Sequence, residues 1–148
     1  MNSSETELFS LKGKVIIVTG ATGVLGLSFI NAIAKAGGIV GVLGRNEQVA
    51  NERAQQIVSK GGQAIALIAD VMNEQQLIAA KEKVIAQFGK IDGLVNGAGG
   101  NVPEAIVQND QDVFSIQLEG MKKAMEVNLW GTVSPTLIFG KAIAENGG

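Results

Sequence analysis

The stretch that decides the fold is Lys14-Val-Ile-Ile-Val-Thr-Gly-Ala-Thr-Gly-Val-Leu-Gly26. Its first half, Lys14 to Thr19, is a short β-branched run closed by Gly20. A continuous apolar run of that length predicts a strand buried on both faces, as in a parallel sheet. Its second half, Gly20 to Gly26, is a glycine-rich turn. Leu25, Phe29 and Ile33 then recur at i, i+4 and i+8, which predicts a helix with that stripe inward. Gly37-Gly38 stops it.

The same grammar repeats downstream. Ile39 to Leu43 is a second apolar strand ending at Gly44. Asn46 to Lys60 carries Ala50, Ala54, Ile57 and Val58 on one side and predicts a helix that Gly61-Gly62 ends. Ala64 to Ile68 is a third strand, closed by Asp70. Asn73 is positioned to cap a helix carrying Leu77, Ile78, Val84, Ile85 and Phe88, which Gly89 ends. Ile91 to Val95 is a fourth strand. Asn101 to Glu119 reads as a long polar loop with room for a short helix. Leu118 to Ala144 reads as a last helix, with Met121, Met125, Leu129, Val133, Leu137 and Ile138 on one side and Pro135 set to kink or restart it. Four strands alternating with helices predict an α/β fold with a Rossmann-type parallel sheet, right-handed crossovers and strand order 3-2-1-4. Residues 1–12 are expected to be a flexible N-terminal segment, and 13–148 the domain, with a fifth strand expected beyond Gly148.

Composition narrows the chemistry. The chain has 148 residues, 46% of them apolar and 18% charged, enough for a core and too apolar for disorder. It contains no Cys, so disulfides and thiolate sites are excluded. It contains no His, which removes His-ligated metals and a Ser-His-Asp triad, and no Tyr. A net charge of −2 with few aromatics argues against nucleic acid as a partner. No apolar run approaches the ~20 residues that span a bilayer. Glu5 and Glu7, with no apolar run beside them, do not make a signal peptide. A cytoplasmic protein is the expectation.

The glycine turn points to a phosphate ligand. Gly20 and Gly23 permit a tight turn and let backbone N–H groups approach a pyrophosphate. Thr22, Val24 and Leu25 are the other cofactor-binding candidates of this turn, at the start of the helix, whose dipole favours an anion. Gly26 permits close packing of helix on strand. A Walker loop would need Gly-Lys-Ser/Thr, which does not occur. At the end of the second strand, NAD-selective sites usually place an acid on the ribose 2′-hydroxyl. Here Gly44 is followed by Arg45 and Asn46, and a guanidinium can hold a 2′-phosphate. NADP is therefore favoured over NAD. Arg45 is also compatible with an ordinary surface arginine.

These residues resemble the short-chain dehydrogenase/reductase family. Asp70-Val71 looks like the family's adenine-contacting pair. Asn96-Gly97-Ala98-Gly99 looks like its Asn-Asn-Ala-Gly motif, with Gly97 replacing the second Asn. Asn128, in Asn-Leu-Trp-Gly-Thr132, looks like the helix asparagine of its catalytic tetrad, credited with kinking its helix and holding a water. The resemblance implies NAD(P)-dependent interconversion of a secondary alcohol and a ketone, a small hydroxy or keto substrate, and a homodimer or homotetramer. Gly99-Gly-Asn-Val-Pro103 is similar to members acting on hexonates and keto acids, such as D-mannonate (fructuronate) oxidoreductases.

Two departures stand out. The spacing Gly20, Gly23, Gly26 is more frequent in extended, epimerase-like members, which leaves a sugar-nucleotide epimerase as an alternative. The family also completes its site with a Ser and a Tyr-x-x-x-Lys that these residues lack, so a longer parent chain is expected. The other alternative is a module that binds nucleotide without catalysis. Read alone, Asp70 could cap the helix near Asn73, and Asn128 could bond only to backbone.

Overall fold

Side chains of β1 (Val15–Thr19) alternate between two apolar layers. Val15 and Ile17 face one layer and Val18 the other, and all three are fully buried. The computed structural model describes residues 8–147, so Met1 to Glu7 of the expected flexible segment lie outside the described residues. From Leu11 the chain is tied in, because the Leu11 N–H donates to the Ala36 carbonyl at 2.8 Å.

β1 pairs in parallel with β2 (Ile39–Gly44) and with β4 (Gly93–Asn96), and β2 pairs with β3 (Gln63–Ile68). The strand order is β3-β2-β1-β4. The helices α1 (Val24–Lys35) and α2 (Glu47–Ser59) cover one face through Ile30, Ile33, Ala50, Ala54 and Ile57. The helices α3 (Glu74–Phe88) and α5 (Gly131–Glu145) cover the other through Leu77, Val84 and Phe139. This is the Rossmann-type layered sheet that the strand runs predict. No helix among the described residues is long and apolar enough to cross a membrane.

Two predicted faces are wrong. In α1, Leu25 is 70% exposed, and the buried stripe is Gly26, Ile30 and Ile33. A Cβ on Gly26 would stand 2.7 Å from Ala21 Cα, so the helix rests on this glycine, and the contact sets its rotation. In the last helical region, Met121, Met125, Leu129 and Leu137 are exposed, while Gly120, Gly131, Pro135 and Phe139 are buried. The predicted single helix is three pieces: α4 (Leu118–Met125), a π-helical stretch Glu126–Trp130, and α5. Each π turn takes in extra backbone, which shifts the helical phase, so one apolar stripe cannot run through it. The restart falls at Gly131, four residues before Pro135, the residue whose carbonyl Pro135 could not have bonded. The loop before α4 holds two 3₁₀ turns, Pro103–Ala105 and Val113–Ser115.

At the opposite end of the sheet, Asp92 fastens β4 to β1. Its carboxylate accepts the Val15 N–H at 2.8 Å and meets the ammoniums of Lys90 and Lys14 at 2.9 Å and 3.2 Å. Burial pushes the Asp92 carboxyl up, but the Val15 N–H and the two lysines outweigh it and hold it below the usual carboxylate range. A carboxyl depressed in the folded state stabilises the fold at neutral pH and loses that contribution as pH falls through its folded pKa. We expect Asp92→Asn to be about 1–2 kcal/mol less stable than the unaltered protein at pH 7. The gap should narrow as pH falls below the ordinary carboxylate pKa and close only below the lowered folded one. Denaturant melts at pH 7 and at about pH 3 check this, and an equal gap at both would remove Asp92 from the account.

Candidate functional site

The strands end together on one edge. Register sets Thr19 beside Asn96 and Gly44 beside Ile68. The chain order reverses between β1 and β4, and open parallel sheets bind ligands in the crevice at such a switch point. A cleft of about 280 Å³ opens there. Of the residues expected at the site, Gly20, Thr22, Gly23, Arg45, Asp70, Val71, Gly97, Ala98 and Gly99 line it, together with Gly44 at the end of β2. Leu43, Ala69, Met72 and Val127 line it too, and nothing in the sequence pattern marked them. A larger groove between α3 and α5 carries Lys81, Glu82, Lys141 and Glu145 but none of the expected residues.

The glycine turn is built by close approach. Gly20 has φ +64°, and a methyl there would stand 2.6 Å from the Gly97 carbonyl carbon. Within the turn, the Ala21 N–H is taken by Leu43 O and the Gly23 N–H by Gly20 O. The N–H groups of Thr22, Val24, Leu25 and Gly26 have no partner among the described residues. Four such donors thus lie in sequence at the N-terminus of α1, the kind of provision that suits an anion. The Val24 and Leu25 side chains are exposed, and neither residue lines the cleft.

Thr19 ties this turn to the loop after β4. It is fully buried, and its Oγ1 accepts from the N–H groups of Gly97 and Ala98, both at 3.1 Å. A Cβ at Gly97 would lie 2.8 Å from the Thr19 carbonyl oxygen. That contact explains the glycine where the resembled motif has asparagine.

On the β2 side, a Cβ at Gly44 would lie 2.5 Å from Thr22 Oγ1 and 2.6 Å from its Cγ2. Thr22 therefore fills the space into which an acidic side chain at this position would start. Arg45 is largely exposed, and its Nη1 lies 3.7 Å from Asp70 Oδ2. Asp70 does not cap α3. Its Oδ1 accepts the Met72 N–H at 2.9 Å, while Asn73 caps the helix by accepting from Gln76 N–H at 3.1 Å. Asn46 stands outside the cleft. Its side chain caps α2 by accepting the Val49 N–H at 3.0 Å.

The two remaining asparagines are engaged locally. Asn96 Nδ2 donates to Thr136 Oγ1 at 2.9 Å. Asn128 grips Gly100 at two points: its Oδ1 accepts the Gly100 N–H at 3.1 Å, and its Nδ2 donates to the Gly100 carbonyl at 2.8 Å. Its Nδ2 also donates to the Ala124 carbonyl at 2.7 Å. Asn128 lies within the π-helical stretch, as the resemblance implies for a kinked helix. Trp130 is half exposed.

Arg53 also escaped the sequence reading. Arg53, on α2, donates from Nη1 to the Ala21 carbonyl and, at 2.7 Å, to the Gly23 carbonyl. A cation in the middle of a surface helix carries no pattern that points to a turn 30 residues upstream. Among the described residues no group of three or more Asp and Glu is placed to hold a metal ion.

A family model described as short chain dehydrogenase matches residues 14–148. An uncharacterized oxidoreductase, UxuB, of Bacillus subtilis is 33% identical over 144 residues, spanning 92% of this chain and 52% of its own. The 7alpha-hydroxysteroid dehydrogenase of Escherichia coli is 33% identical over 138 residues, spanning 93% of this chain and 51% of its own. A solved structure from Haemophilus influenza, provisionally named D-mannonate oxidoreductase and holding bound NAD, superposes with TM-score 0.82 at 29% identity. It covers 94% of this chain, which covers 53% of it. The chain spans about half the length of the curated relatives it matches.

Proposed function

Because the chain belongs to the short-chain dehydrogenase family, we propose that it is the dinucleotide-holding part of an NAD(P)-dependent oxidoreductase that interconverts a secondary alcohol and a ketone. The observation that carries this reading is the set of four N–H groups without a partner among the described residues, on Thr22, Val24, Leu25 and Gly26, at the N-terminus of α1, where Thr22 and the glycines before it line the switch-point cleft. A pyrophosphate satisfies such donors, and the glycine contacts leave room for it because a Cβ at Gly20 or Gly26 would collide with backbone. The bound dinucleotide supplies the hydride acceptor or donor.

The chain's own residues orient and enclose. Gly20 to Gly26 hold the phosphates. Asp70 and Val71 border the adenine, and Asn96 to Gly99 border the nicotinamide half. Asn128 holds the Gly100 backbone beside the reacting end. The 148 residues contain no tyrosine, so the proposal puts the family's proton donor in the length of the relatives that this chain does not span.

NADP is the cofactor we favour. Gly44 offers no carboxylate to a ribose 2′-hydroxyl, Thr22 fills that space, and the exposed Arg45 can exchange its long ion pair with Asp70 for a 2′-phosphate. Hexonates and their keto acids, such as D-mannonate and fructuronate, are the substrate class, on the strength of Gly99-Gly-Asn-Val-Pro103 and the kinship with a protein provisionally named for D-mannonate. A homodimer or homotetramer is part of the same reading.

Fluorescence titration of NADPH and NADH tests it. NADPH should bind more tightly, and Arg45→Glu should shift the preference toward NADH by about tenfold or more. An unmoved ratio would take Arg45 out of the cofactor site. Failure of both dinucleotides to bind would overturn the reading. In the whole enzyme, oxidation of the hexonate should accumulate reduced cofactor; an epimerase would return its cofactor oxidised.

A further inference from the structure

We propose that Arg53 is a positioning residue for the phosphate cradle, acting through the far side of the peptides that form it. The proposal rests on the cofactor reading given above. A trans peptide points its C=O and N–H in opposite directions. The Ala21 carbonyl and the Thr22 N–H belong to one peptide unit, and the Gly23 carbonyl and the Val24 N–H belong to another. Arg53 grips both of these carbonyls from a single guanidinium nitrogen. Its two N–H bonds therefore fix two peptide planes at once. The opposite edges of those planes are two of the four unpartnered donors at the N-terminus of α1.

Local sequence does not hold this turn by itself. Gly23, at the N-cap position of α1, has no side chain to cap the helix, so the turn has no hydroxyl or carboxylate to stiffen it there. Arg53 provides that stiffness from α2, which the Asn46 cap anchors and Ala50, Ala54 and Ile57 bury against the sheet. Charge acts in the same direction. A carbonyl bonded to a cation polarises its peptide and strengthens the N–H on the other edge as a donor. Arg53 does not line the cleft, so its effect reaches a phosphate through the backbone rather than by contact.

The test compares ligands with and without phosphate. Arg53→Met keeps the aliphatic stem and removes the donors; Arg53→Lys keeps the charge and one donor nitrogen but loses the planar guanidinium that aims its two N–H bonds. The probes are NADPH, NADH and unphosphorylated adenosine, titrated by fluorescence and by NMR shift. For Arg53→Met the Kd of both dinucleotides should rise about tenfold, while that of adenosine stays within about twofold. Arg53→Lys should fall between it and the unaltered protein. Equal weakening of adenosine and dinucleotides, or dinucleotide affinity unchanged in Arg53→Met, would overturn the proposal. So would loss of folding in both variants, which would make Arg53 a residue of the fold alone. Absence of dinucleotide binding by the unaltered protein would instead overturn the cofactor reading, and the clamp with it.

Discussion

Gly20→Ala is expected to abolish dinucleotide binding and to destabilise the fold by about 2–4 kcal/mol. Two independent causes add. Gly20 has φ +64°, a left-handed conformation that disfavours alanine by about 1 kcal/mol. The added methyl would also overlap the Gly97 carbonyl oxygen and stand 2.7 Å from Ala98 N. Both are backbone atoms and cannot rotate away, so β1 and β4 must part at the edge where the cleft opens. Overpacking of that kind costs about 1–3 kcal/mol. Gly61→Ala is the matched control. It also has positive φ, +85°, but its Cβ would meet nothing within 4 Å, so it carries the conformational penalty alone. Thermal melts should put Gly20→Ala well below Gly61→Ala, and titration should show binding lost only in the former. Similar melting and binding in the two variants would mean that the contact with Gly97 does not shape the site.

Asn128→Ala is expected to leave dinucleotide affinity within a few-fold and to lower kcat of the whole enzyme on the order of a hundredfold. Asn128 holds Gly100 through both an acceptor and a donor, and binds Ala124 within its own helical region. Removing the amide frees the loop after β4 from the π-helical stretch, while Thr19 still holds Gly97 and Ala98. The cradle for the phosphates therefore survives, and the reacting end loses its support. Asn128→Asp sharpens the test. It keeps an acceptor for the Gly100 N–H but sets a carboxylate against the Gly100 and Ala124 carbonyls, so it should be no better than alanine. Limited proteolysis should cut both variants near Gly99-Gly100 faster than the unaltered protein. A kcat unchanged in Asn128→Ala would confine this residue to helix geometry.

The candidate site was legible wherever its chemistry is carried by backbone near a glycine. Gly20, Gly23, Gly97 and Gly99 line the cleft because a strand end followed by glycine leaves few conformations open. Side chains were harder to place. Asn46 and Asn96 follow their strands in the expected way, yet Asn46 is consumed by a helix cap and Asn96 by Thr136. Asparagine bonds whatever backbone or hydroxyl lies nearest, and spacing does not tell which. Thr19 and Arg53 act on partners 78 and 32 residues away.

The sequence by itself determined the parallel sheet, its strand order and the turn that faces a phosphate. Those follow from local causes: β-branched runs long enough to be buried on both faces, glycines where the chain must turn, and crossovers of one hand. Only the tertiary structure decided which face of each helix is inside. In α1 and α5 the contact surfaces combine Gly26, Gly131 and Pro135 with Ile30, Ile33 and Phe139, and Leu25 and Leu137 are left exposed. Hydrophobic periodicity finds large side chains but not the small residues where a helix approaches its neighbours closely, and those set its rotation. The tertiary structure alone also set the two clamps, Asn128 on Gly100 and Arg53 on the glycine turn, because a hydrogen bond between distant segments exists only after the core has brought them together.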